Sequence, residues 1–110
     1  MSDLSSVLVS DGLAALAEQN PIREGDVSPH RTFDGEGFRI RHLAFDAGAV
    51  LAEHQAPVPI IVQVVQGSVK FAVDGDVHTL STGAIVHVAA KNPHEVTAIE
   101  RARLIVTLVG

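Results

Sequence analysis

Cysteine, tryptophan and tyrosine are all missing from this chain of 110 residues, and four phenylalanines are its only aromatic hydrocarbon rings. Without thiols there are neither disulfides nor thiolate metal sites. A core without Trp and Tyr is assembled from Val, Ile, Leu and Ala, and a sugar-stacking platform lacks its usual rings. Positive charge is also short: eight Lys and Arg face thirteen Asp and Glu, for a net charge of −5. No Lys/Arg cluster occurs. That speaks against a nucleic-acid surface, which needs concentrated positive charge to neutralise phosphates. No apolar run reaches the roughly 18 residues of a membrane-spanning helix. Met1-Ser2-Asp3-Leu4 lacks the basic start and apolar stretch of a secretory leader. The expectation is a cytoplasmic protein with neither membrane nor nucleic-acid partner.

What the chain does have is branched aliphatic sequence. Hydrophobic residues make up 46% of it, above the level of a disordered chain. Its length suits one domain around one core. Leu4, Val7, Leu8, Leu13, Leu16 and Ala17 recur at helical spacing, which predicts an amphipathic helix over 4–19, interrupted near Gly12. Asn20-Pro21 ends it. The expected organisation is a helix and lead-in over 1–28, then a single domain over 29–110.

From Pro29 onward the period changes to two. Arg31 to Phe33 leads into the turn Asp34-Gly35-Glu36-Gly37, and Phe38 to Phe45 alternates as a strand. Val50 to His54 is short and extended, and Pro57 and Pro59 keep the next stretch out of a central ladder. Ile60 to Val65 is a continuous apolar strand closed by Gly67. Val69–Val73 and Val77–Leu80, joined at Asp74-Gly75, read as a hairpin. Ala84–Ala89, His94–Ile99 and Arg103–Val109 complete eight or nine short strands. Strands without intervening helices exclude a parallel α/β fold and point to a sandwich or closed barrel.

Two glycine-framed blocks carry a resemblance. Gly48, His54 and Gly67 stand at the spacing of one, and Gly83, Pro93 and His94 at the spacing of the other. In this the chain resembles the small single-domain members of the RmlC-like cupin superfamily (the cupin-2 type), over roughly residues 38–109. The resemblance implies an all-β double-stranded β-helix, a jelly-roll barrel, with a short N-terminal helix. It also implies a site in the barrel mouth. A complete cupin holds a metal with two His and a Glu from the first block and a His from the second. Here the second His of the first block falls on Ala56 and the Glu on Ile60, leaving His54 and His94. The Pro, Gly and Asn of the second block fall on Ala89, Lys91 and Ala98.

Two neutral imidazoles ligate Zn, Ni, Fe or Mn only weakly without a carboxylate to offset the charge. The cofactor expectation is therefore none, or a weakly bound divalent metal on His54 and His94. His42 shares a strand face with Phe38 and Ile40 and is a further candidate for the pocket. Gln63 is the lone polar residue between Ile60 and Val65. By strict alternation it faces away from Ile60, and a register shift at Pro59 would bring it in. The facing of His87 is open, and His30 and His78 read as surface residues. There is no Gly-x-Ser-x-Gly elbow and no phosphate-cradling glycine loop. Asp74-Gly75-Asp76 reads as a turn rather than a calcium loop. Glu95, next to His94, points to the other face.

Three functions follow. The first is a small-molecule-binding or sensing cupin with a largely apolar pocket formed by His54, His94, Ile60, Gln63 and His42. The second is a metal-dependent oxygenase or isomerase using His54, His94 and a third ligand. The third is a metal-free acid–base enzyme with one His as base. Catalytic residues are not assignable. A homodimer is expected, with Ile61 and Val65 covered by a second subunit.

Overall fold

A computed structural model describes residues 5–110. One helix, α1 (Leu13–Gln19), precedes β1 (Val27–Asp34), β2 (Phe38–Phe45), β3 (Val50–His54), β4 (Ile60–Gln66), β5 (Ser68–Val73), β6 (Asp76–Ser81), β7 (Ile85–Val88), β8 (His94–Ala98) and β9 (Ala102–Val109). The helix is much shorter than its apolar spacing predicts. Residues 5–12 are not helical, and Leu4 lies outside the described residues. Ser10 explains the break: its hydroxyl donates to the Gly12 carbonyl and accepts from the Gly12 N–H. Such local bonds compete with the helical ladder, and glycine adds its own entropic cost. Val9, Leu13 and Leu16 instead share a groove on the outside of the barrel with Ile40, Val65 and Ile105.

Two antiparallel sheets face each other, one in the order β1-β2-β9-β4-β7 and the other β3-β8-β5-β6. This is the jelly-roll barrel that the resemblance implies, and it falls within the sandwich-or-barrel class that the strand spacing predicts. Period-two alternation fills the space between the sheets. In β4, Ile60, Val62 and Val64 are buried while Ile61, Gln63 and Val65 are only half-buried. Those inward residues pair across β9 with Leu108, Val106 and Leu104. Phe45, Val69, Phe71, Val96 and Ala98 close the core from the remaining strands.

Turn chemistry sets the corners. Asp74 and Gly75 both have positive φ, as a two-residue hairpin loop between paired Val73 and Asp76 requires. Gly67 is more constrained. Its φ is 76°, and a Cβ there would lie 2.1 Å from the Arg101 carbonyl oxygen. Only glycine permits that approach, which lets β4 turn directly into β5.

Candidate functional site

The barrel encloses a cavity of about 370 Å³ between its sheets. Leu43, Val62, Phe71, Val96 and Leu104 form part of its wall, and His54 and His94 are among its few polar lining residues. Ile60, Ala56 and Pro57 also border it.

A backbone irregularity places His54. Leu51 pairs with Val96 and His54 with His94, so β3 spends three steps where β8 spends two. This is a β-bulge, with one extra residue in β3. Strict alternation from Leu51 would turn Glu53 inward and His54 outward. The bulge reverses that, and both Leu51 and His54 line the cavity. On β8 alternation holds: His94, Val96 and Ala98 are buried, whereas Glu95 and Thr97 lie on the opposite face.

The two imidazoles are neighbours, with ring centroids 4.3 Å apart in an edge-on arrangement. Phe71, fully buried, stacks on His94 at 5.7 Å with an interplanar angle of 11°. His54 Nδ1 lies 2.9 Å from the Ala52 carbonyl oxygen, and His94 Nδ1 lies 3.0 Å from that of Asn92. His54 is exposed at the entrance, whereas His94 is 3% exposed. Burial lowers the His94 pKa below its ordinary value. The Asn92 carbonyl opposes the shift and nearby His54 adds to it.

The cavity also reaches Arg41, which the sequence did not single out. Its guanidinium donates to Asp34 Oδ1 at 2.6 Å and to the Ile40 carbonyl oxygen. This pairing holds the Asp34 carboxyl below the usual carboxylate range. Leu43 lines the cavity, and period-two alternation along β2 places Arg41 on the same face.

That alternation also corrects His42. It lies on the outer face of β2, fully buried but away from the cavity. Asn20 caps it: the Asn20 amide donates to the carbonyls of Ser28 and His42. Arg103, 4% exposed, donates to the Asn20 carbonyl, to Gln66 Oε1 and to His42 Nε2. The cluster is a polar clamp between α1 and the barrel. Burial, then the Arg103 and His30 charges, push His42 down to about 4.

Gln63 is corrected as well. It pairs with Ile85 and Ile105 and does not line the cavity. The register shift in β4 comes after it, between Val64 and Gln66, so Pro59 does not rotate Gln63 inward. His87 is exposed opposite Ile61, His30 bonds Thr32, and His78 is exposed on β6. The structure thus joins His54, His94 and Ile60 at the cavity and leaves the other histidines outside.

These residues do not make up a four-ligand metal site. Among the described residues no group of three or more His, Cys, Asp or Glu could hold a metal ion. No carboxylate lines the cavity, and Ala56 and Ile60 offer only hydrocarbon there. A divalent ion would rest on two neutral nitrogens.

Residues 41–110 match the family described as "Cupin domain". No curated protein matches the chain. Among solved structures, a conserved protein of unknown function from Streptococcus pyogenes superposes with a TM-score of 0.78 at 17% identity, covering 99% of this chain and 95% of that one. KdgF from Halomonas sp. gives 0.72 at 24% identity over 79% of this chain and 82% of its own. A cupin 2 conserved barrel domain protein from Leptotrichia buccalis gives 0.78 at 27% identity, covering 87% of this chain and 47% of that one. No helix among the described residues is long and apolar enough to cross a membrane.

Proposed function

The chain belongs to the cupin family, and from that premise we propose that it is a small-molecule-binding cupin whose ligand occupies the barrel cavity beside His54 and His94. The single observation behind this reading is the cavity itself. It is about 370 Å³, walled almost wholly by hydrocarbon, with two imidazoles at one end. Binding sites for small molecules have this composition: apolar walls supply affinity and a few polar groups fix orientation. The reading is a binding or sensing role, since each Nδ1 meets a backbone carbonyl rather than a carboxylate that would tune it as a base.

The test is titration of untagged, chelator-treated protein with a small-molecule panel by NMR, with His54→Ala as control. Shifts confined to the cavity wall and lost in the variant are the expected result. Stoichiometric iron, manganese or zinc that survives dialysis and chelation would instead favour the metal-dependent enzyme.

A second copy of the chain is the partner this reading expects. Ile61, Gln63 and Thr107 are half-buried on the outer sheet face, and Ile85 beside them is 66% exposed. An uncharged face that mixes isoleucines with neutral polar residues suits two-fold pairing, whereas Val65, also expected there, shares a groove with Leu13 and Leu16 of its own chain. Light scattering that returns a monomer mass at about 0.1 mM, well above typical specific dissociation constants, would refute it.

A further inference from the structure

The hydrogen bonds of the two histidines specify more than their position. A backbone carbonyl oxygen only accepts. The contacts of His54 Nδ1 with the Ala52 carbonyl and of His94 Nδ1 with the Asn92 carbonyl therefore require a proton on each Nδ1. A neutral imidazole carries one N–H, so both Nε2 atoms are left as bare lone pairs. Neither Nε2 has a protein partner among the described residues. That of His94 is not sealed in either, because among the described residues His42 Nδ1 is the one buried side-chain polar atom without a partner.

The cavity thus offers two adjacent acceptors and little else that is polar. Gln55 borders it as well. Its one cationic side chain, Arg41, donates Nη1 to Asp34 and to the Ile40 carbonyl, and the Asp34 carboxylate offsets its charge. No lining residue carries a negative charge that would hold an organic cation.

We infer that the His54–His94 pair is an acceptor-only recognition site, selecting an uncharged, largely apolar molecule that brings its own hydroxyl or N–H donor. A phenol or alcohol of one-ring size fits the description. A carboxylate does not, because its oxygens would face two lone pairs with no proton between them. This rests on the binding role proposed above and adds the chemistry of the ligand.

Three probes with the same hydrocarbon body separate the alternatives: p-cresol, toluene and 4-methylbenzoate. Each is titrated at about pH 8, above the ordinary histidine pKa, into ¹⁵N-labelled protein kept in chelator, and long-range ¹H–¹⁵N spectra report the histidine tautomers. The expected result is the Nδ1–H form for both histidines and p-cresol binding about tenfold tighter than toluene, the worth of one hydrogen bond. 4-Methylbenzoate is expected to bind more weakly than either. His54→Leu, a change at an exposed strand end, is expected to narrow the gap between p-cresol and toluene. An Nε2–H form on both rings, toluene binding as tightly as p-cresol, or preference for 4-methylbenzoate would overturn the inference while leaving the cavity a binding site. If none of the three probes shifts the cavity resonances, the binding role falls with it.

Discussion

Acidification from about pH 7.5 to about pH 5 is expected to cost the domain about 2 kcal/mol through His42 alone. His42 is fully buried, and its folded pKa is lowered from 6.5 to about 4. Its surroundings explain the resistance to a second proton. Nε2 accepts from the Arg103 guanidinium, Nδ1 has no partner, and His30 is the other titratable group facing it. A proton on Nε2 would remove that acceptor and set two cations against each other. The unfolded chain therefore takes up the proton first as pH falls below about 6.5, so the native state loses ground. The loss grows until pH nears the folded value, and below that both states are protonated and it stops growing. The full shift is worth about 3 kcal/mol at 1.36 kcal/mol per pH unit, and most of it is spent by pH 5. Urea midpoints across this range, for wild type and His42→Gln, measure it. Glutamine keeps a carbonyl acceptor for Arg103 but does not titrate. Buried His94, whose pKa is also lowered, contributes with the same sign in both proteins and drops out of the difference. Equal pH slopes in the two proteins would refute the reasoning.

Three further outcomes follow from the geometry. Gly67→Ala combines positive φ with a Cβ 2.1 Å from the Arg101 carbonyl oxygen and is expected to lose more than about 3 kcal/mol or yield insoluble protein; a midpoint within about 1 kcal/mol of wild type would contradict it. Lys91 holds φ 64° at the position of a cupin glycine, so Lys91→Gly is expected to raise stability by about 0.5–1 kcal/mol in thermal melts. The double change Ala56→His and Ile60→Glu rebuilds a four-ligand set along the cavity wall. It is expected to destabilise the metal-free protein, by burying a carboxylate, and to gain about 3 kcal/mol when zinc is supplied at a hundredfold over its Kd. A zinc-independent melting temperature would argue against the ligand geometry.

Much of the barrel was legible because strand period and turn residues agree. Phe38–Phe45 is a strand with the bounds its alternation suggests, and Asp74-Gly75 is the hairpin loop. Glycine frames brought His54 and His94 together from forty residues apart, and Glu95 faces away as alternation requires. Other features were not legible because long-range packing decides them. Spacing alone favoured a helix over 4–19, and the local bonds of Ser10 with Gly12 broke it. Alternation alone does not decide between His42 and Leu43, since both β2 faces are substantially buried once α1 and Asn20 cover the outer one. The inward turn of His54 depends on a bulge that leaves no mark in composition.

That bulge makes the chemistry of the cavity a matter of parity. Glu53 and His54 compete for the single inward place opposite His94, and a one-residue slip of β3 against β8 would exchange an imidazole for a carboxylate. The contest is uneven, because a carboxylate moved off the exposed strand edge into hydrocarbon loses its hydration. Nearby, the Lys91 N–H holds the Ala56 carbonyl at 2.7 Å and anchors the end of the segment. A carboxylate thus lies one backbone step from the site, so insertions and deletions between residues 51 and 54 have as much power over what this barrel binds as substitutions in its wall.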